Sequence, residues 1–245
     1  MKINMAVTAL VGSFLMVTTV LADHIVVVPG GFSSTEANSS DNAPLGATEQ
    51  HFQQVFSSTL LTNLSIGDLI DGIAFRVEGN ESALPAQIVT TYDIGLGQSL
   101  VAPGGMSSTF AANRGADFTM VRSGPLTIAD GTFTGGQTPN DFGWISFATP
   151  YEYLGGNLLV EIAYEGFSEG RDADAAYPYD ASLAQTAFGT GYNATTADAG
   201  LYPEALVMGF SVETVTPVPE PSASLVFAGG LLMLVVCLRG KSRAA

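Results

Sequence analysis

Several stretches of the chain alternate apolar and polar residues with period two, the pattern of strands that bury one face. In Ile73–Glu78, Ile73, Phe75 and Val77 share a face. In Leu158–Glu165, Leu158, Val160, Ile162 and Tyr164 lie on one side, with Glu161 and Glu165 opposite. Leu206–Glu213 aligns Leu206, Met208, Phe210 and Val212, while Ile88–Ile94 and Trp144–Ala148 alternate in the same way. His24–Val28 is a short β-branched run that predicts the first strand, and Phe52–Phe56 and Phe118–Arg122 are further candidates. Pro29-Gly30-Gly31, Pro103-Gly104-Gly105, Asp130-Gly131, Gly135-Gly136 and Gly155-Gly156 separate these runs with turn chemistry. Ser33–Asn42 is polar and reads as a loop, and Ser107–Asn113 as one helical turn. Many short strands with glycine-rich turns, and no repeat period, predict an all-β body of the sandwich or jelly-roll class.

Both ends break this pattern. Met1–Ala22 has a basic start at Lys2, an apolar run over Met5–Val20 and small residues at Val20-Leu21-Ala22. That is the arrangement of a secretory signal peptide, and cleavage after Ala22 would leave Asp23 at the new N-terminus. Val218-Pro219-Glu220-Pro221 precedes the uncharged Ser222–Leu238, and Arg239, Lys241 and Arg243 follow it. Seventeen helical residues span about 25 Å, slightly less than a ~30 Å hydrocarbon core. The basic cluster predicts a stop-transfer helix with its C-terminal side in the cytoplasm. The chain therefore divides into a signal segment (1–22), a β ectodomain (23–217) and a tail (218–245). Within the tail lie the motif at 218–221, the helix at 222–238 and the basic end at 239–245.

Charge is concentrated in the body. Of 23 acidic residues 22 lie in Asp23–Pro217, against four arginines and no lysine, a formal charge of −18. Such a field repels phosphate backbones and excludes nucleic acid as a partner. The single cysteine, Cys237, is in the C-terminal apolar run, so the body has no disulfides and must be held by its own core.

A Pro-Glu-Pro motif, an apolar helix and a basic end, in that order, resemble the PEP-CTERM sorting signal, over about the last 28 residues. The resemblance implies a bacterial surface protein handled by an exosortase-type enzyme. Recognition or cleavage would fall at or near Val218, Pro219, Glu220 and Pro221. The protein would pass through an inner-membrane-anchored intermediate to the cell surface or the extracellular matrix, where exopolysaccharide is a partner. The Leu-Pro-x-Thr-Gly of a wall signal is absent, and the Arg-Lys-Arg ending does not suit a lipid-anchor signal. Phe147–Ile162 looks like a strand–turn–strand signature of β-sandwich ectodomains that carry this tail. It implies a fold and no activity.

Candidate chemistry in the body is sparse. The two histidines are His24, close to the expected cleavage point, and His51, in a segment that reads as a strand edge. Neither sits in a pattern that orients an imidazole for nucleophilic catalysis, and no Cys/His spacing predicts zinc. Glycoside hydrolysis needs two carboxyls ~5–9.5 Å apart, whereas Glu161 and Glu165 fall on a predicted solvent face. Glu169–Asp174 with Asp180 is the densest acidic loop. Asp172 and Asp174 point the same way if the loop is extended, so Asp172, Asp174 and Asp180 are the candidate ligands for a calcium ion, with Arg171 competing. Tyr151, Tyr153, Tyr177, Tyr179 and Tyr192 could form a sugar-stacking platform, although core packing accounts for them as well. The sequence thus predicts a non-enzymatic surface protein without a required cofactor. A carbohydrate- or calcium-binding adhesin module is the alternative, and a secreted hydrolase the third. Exposed tyrosines beside acids would favour the second, and a buried carboxyl pair in a cleft the third.

Overall fold

The computed structural model describes residues 22 to 214. The expected signal segment before Ala22 and the whole sorting tail, Val218 to Ala245, lie outside the described residues.

Every alternating run contains strand, although Ile73–Glu78 is strand only as far as Phe75, and strands also form where the alternation was weak. In chain order the strands are β1 (Ala22–Val28), β2 (Ser39–Asp41), β3 (Gln50–Phe56), β4 (Leu69–Phe75) and β5 (Gln87–Val89). Next come β6 (Tyr92–Gln98), β7 (Thr119–Arg122), β8 (Leu126–Ile128), β9 (Gly143–Glu152) and β10 (Leu158–Tyr164). The last five are β11 (Ala173–Ala176), β12 (Ala184–Thr190), β13 (Gly200–Tyr202), β14 (Ala205–Leu206) and β15 (Met208–Thr214). The fold is all-β. The described residues contain three single-turn 3₁₀ segments and no α-helix, and so no helix long and apolar enough to cross a membrane.

Two antiparallel sheets carry the core. One has the order β1-β15-β4-β9, the other β13-β12-β3-β10-β6-β7. They pack face to face in a sandwich-like arrangement. Phe56 of β3 meets Phe210 of β15 edge-on at 6.5 Å between ring centroids. Phe52, Ile94, Leu96, Val160 and Ile162 from the second sheet join Val26, Ile70, Ile73 and Val212 from the first in one apolar cluster. A three-stranded sheet, β14-β11-β2, and a two-stranded one, β5-β8, close the sides.

Four expectations are corrected. Ile88–Ile94 is two strands, because the chain turns between Val89 and Tyr92 to serve two different sheets. The polar Ser33–Asn42 contains β2, which pairs with β11 through Ala173↔Asp41, Asp174↔Ser40 and Ala175↔Ser39. His51 is not at a strand edge: β3 is central, pairing with β10 on one side and β12 on the other. Glu161 is not solvent-facing. It is 5% exposed, because the face of β3, β10 and β12 opposite the main core is covered by a second layer built from Met106, Phe110 and Ala197.

That covering depends on two glycines of β6. A Cβ at Gly95 would lie 2.3 Å from Phe118 Cζ and one at Gly97 2.8 Å from Phe118 Cα, so only glycine lets residue 118 lie on the strand. Arg114 stacks over Phe118 at 4.6 Å and reaches back to Glu161.

Candidate ligand cleft and acidic cluster

The structure redistributes the predicted calcium ligands. Asp174 is the second residue of β11 and is 1% exposed. Its Oδ2 accepts from Arg76 Nε at 2.6 Å and forms a second bond with the same guanidinium, while its Oδ1 accepts from Ala37 N at 3.0 Å. Burial pushes its carboxyl up, against the pull of Arg76. Asp172 precedes β11 and accepts from Ser40 Oγ at 3.3 Å. Asp180 is elsewhere, in the turn before β12, where its Oδ1 accepts from Ser182 N at 2.9 Å and Ser182 Oγ at 2.7 Å. Arg171, the expected competitor, donates to Ser82 O and Gly170 O and lies 3.9 Å from Glu169 Oε2, away from Asp172 and Asp174.

The acids that do meet Asp174 come from distant segments. Carboxylate oxygens of Glu36, Glu78 and Asp174 lie within 4.8 Å of one another. Glu36 Oε1 accepts from Gly79 N at 2.7 Å, whereas Glu36 Oε2 and Glu78 Oε2 are buried without a hydrogen-bond partner. Burial raises the Glu78 carboxyl to about 7, and the negative charges of Glu36, Asp174, Asp172 and Glu81 add to the effect. These three are the described carboxylates best placed to hold a cation, with Asp174 already engaged by Arg76.

A second acidic feature is a cleft of about 400 Å³ between the β2 edge and the β12–β13 end of the six-stranded sheet. Ser40 and Asp41 of β2, Tyr177, Phe188 of β12, Tyr202 of β13 and Glu204 form its walls. Tyr177 is fixed through its backbone: its N–H donates to Asn38 Oδ1 at 3.1 Å and its carbonyl accepts from Asn38 Nδ2 at 2.8 Å. Tyr202 packs against Phe188 at 5.7 Å between ring centroids, and its hydroxyl donates to Ala199 O at 2.8 Å. Gly200 permits this, with φ +121° and the Tyr202 ring 3.0 Å from where a Cβ would be. Both tyrosines remain open to solvent, at 44% and 39%.

Glu204 forms the deep acidic wall. Its carbonyl accepts from Gln54 Nε2 and Thr186 Oγ1, each at 3.2 Å, which locks the backbone to β3 and β12. Its side chain is unusual: the residue is only 5% exposed, and no hydrogen bond to its carboxyl is formed. Burial raises that carboxyl to about 8, helped by the charge of Asp41. Asp41 is itself raised by burial and by Asp172, although Ala43 N donates to its Oδ1 at 2.7 Å.

The sequence reading selected Tyr177 but not Tyr202 or Glu204. The signal available was the run Gly200-Leu201-Tyr202-Pro203-Glu204, a glycine–proline turn carrying an aromatic and an acid. Tyr151 and Tyr153 are core residues, 3% and 4% exposed, and Tyr192 donates to Asp93 Oδ2 at 2.5 Å.

The histidines are placed by the ladder. His24, close to the expected cleavage point, pairs with Val212 in β1–β15, and its Nε2 lies 3.2 Å from Asn63 O. His51 Nε2 is 2.8 Å from Glu161 Oε1, and Glu161 also accepts from Gln53 and Arg114. Those bonds hold the Glu161 carboxyl down at about 2 despite its burial. Gly166-Phe167-Ser168-Glu169-Gly170 has the spacing of a nucleophile elbow, but an elbow leads from a strand into a helix. Here the segment leads into β11, Phe167 is buried against Tyr92 and Tyr164, and Ser168 Oγ donates to Gln87 Oε1 at 2.9 Å.

Comparison of the chain with family models, with curated proteins and with solved structures gave no match. The reading of function therefore rests on the residues themselves.

Proposed function

We propose that this chain is an exported, non-enzymatic surface or matrix protein, sorted by its C-terminal tail, whose β body binds carbohydrate in the Tyr177–Tyr202 cleft. Val218-Pro219-Glu220-Pro221, the apolar run 222–238 and Arg239, Lys241 and Arg243 support the sorting part of this reading. Ala22 opens β1, so the proposed cleavage point falls at the start of the folded body.

A jelly roll is the finer reading of the fold. Its support is the order β1-β15-β4-β9 facing β3-β10-β6-β7, with the chain passing from one sheet to the other at each step except the β6–β7 hairpin. On this reading β12 and β13 are additions beyond β3, and they build one wall of the cleft.

The observation that carries the binding proposal is Glu204, whose carboxyl has no hydrogen-bond partner and lines the same open cleft as two exposed tyrosine rings. A ligand donor seated in the cleft supplies the hydrogen bond that this carboxyl lacks within the protein. Tyrosine faces accept the C–H face of a sugar ring, while carboxyls bind its hydroxyls. A glycan array probed with residues 23–217, with and without calcium, tests this. Retention that Tyr202→Ala abolishes is the expected result, and an array without a specific signal overturns it.

Glu204 and Asp41 line the same cleft, which favours one second reading, glycoside hydrolysis by a pair of carboxyls. Mass spectrometry of a retained glycan separates the two. An intact glycan supports binding, and shortened products support hydrolysis.

A further inference from the structure

The walls of the cleft differ in one respect from a general hydroxyl-binding surface: they hold two carboxyls and no lysine, arginine or histidine. Asp41 approaches from β2 and Glu204 from the segment after β13. The aromatic rings of Tyr177, Phe188 and Tyr202 supply the remaining apolar wall. No basic side chain among the described residues bonds the Glu204 carboxyl, in contrast to Asp174 with Arg76 and Glu161 with Arg114. Of the other deeply buried carboxylates, Asp174 and Glu161 are each matched by an arginine, and Asp68, 4% exposed, accepts from Ser65 N at 2.8 Å. At the Glu204 carboxyl neither an arginine nor a hydrogen bond is present, so a cation is missing from the protein itself.

We propose that the missing cation is brought by the ligand: the cleft takes an amino sugar with a free ammonium group, and Glu204 is the residue that recognises it. This rests on the carbohydrate reading above and narrows its ligand class. An ammonium provides three N–H donors and a positive charge, so it can bond Glu204 and Asp41 together. Aromatic faces stabilise the same charge through their quadrupoles. A charge-assisted hydrogen bond in a desolvated site exceeds a neutral one. An N-acetylated sugar of the same size offers one neutral N–H and no charge that would favour ionising Glu204. Because burial holds the Glu204 proton to about pH 8, ammonium binding near neutrality displaces that proton into the buffer.

The test compares short glucosamine oligomers with their N-acetylated counterparts, by calorimetry on full-length protein in detergent at moderate salt. The expected result is a preference of about tenfold or more for the free amine, with proton release in buffers of differing ionisation enthalpy. In Glu204→Gln the preference and the proton release both disappear. That variant removes a buried unpaired acid, so its fold is retained. Tyr177→Ala should weaken both oligomers and leave their ratio unchanged. The formal charge of −15 attracts any polycation without a site, so the control matters. A preference that survives Glu204→Gln and fades with salt is bulk attraction and overturns the proposal. Equal affinity for the two oligomers overturns it too, while leaving the carbohydrate reading intact. If neither oligomer nor any array glycan binds, both readings fall.

Discussion

Arg76 and Asp174, 98 residues apart in the chain, form an ion pair whose side chains are 1% and 0% exposed. The pair joins β4's end to β11, and Asp174 N–H also donates to Arg76 O at 3.0 Å. Charges so buried contribute little net stability as a pair, yet removing one partner strands the other. Asp174→Ala should therefore cost about 3–5 kcal/mol, whereas the apolar double replacement Arg76→Met with Asp174→Leu should cost much less. Thermal unfolding of the three proteins decides it, and equal losses would count against an isolated buried pair.

Calcium is expected to leave the melting temperature within about 1 °C at millimolar concentration, because Asp174 already has its charge partner. Glu36 and Glu78 each contribute one buried oxygen without a hydrogen-bond partner. A rise in melting temperature that Glu78→Gln removes would instead establish an ion among Glu36, Glu78 and Asp174.

Stability should peak at about pH 5 and fall on both sides. Glu78 and Glu204 bind their protons more tightly folded than unfolded, at about 7 and about 8 against an ordinary 4.5. Their contribution is complete below 4.5 and is lost as pH rises through 7 and 8. Glu161 behaves oppositely: held at about 2, it contributes above 4.5, and the contribution is lost as pH falls toward 2. Melting curves across pH check this. Glu204→Gln should flatten the alkaline side and stabilise the protein by about 1–3 kcal/mol at pH 9.

The tail makes a separate prediction. On the proposed sorting reading, Glu220, flanked by Pro219 and Pro221, is the one charged side chain of Val218–Pro221 available for recognition. Replacing Pro219, Glu220 and Pro221 with alanine should leave insertion unchanged, since residues 222–238 and the basic end remain, but the protein should accumulate at full length. Wild type, in a host with the sorting enzyme, should become lighter by about 2–3 kDa, the mass of the roughly 25 residues lost. Intact mass spectrometry of surface material reads this directly. Retention of Arg239, Lys241 and Arg243 in such a host would make the tail an anchor only.

What the sequence by itself determined is what depends on neighbours in the chain. Strand periodicity over 158–164 and 208–214, the Gly155-Gly156 turn with φ of +86° and +78°, and the all-β class follow from local alternation and glycine geometry. Tertiary structure decided the rest, because alternation assigns residues to two faces without saying what covers each. Glu161 sits on the face opposite Val160, as its position requires, yet a second layer over that face buries it beside His51 and Arg114. Asp174 meets Glu36 and Glu78 rather than Asp180, because β11 is clamped between β2 and β14 while Asp180 is in the turn leading to β12. Glu204 lies in a proline-containing turn that reads as surface. It is buried because Gln54 and Thr186 hold its backbone against the six-stranded sheet, a contact between residues 150 positions apart. Its meeting with Asp41 is set by strand order, which local pattern does not encode.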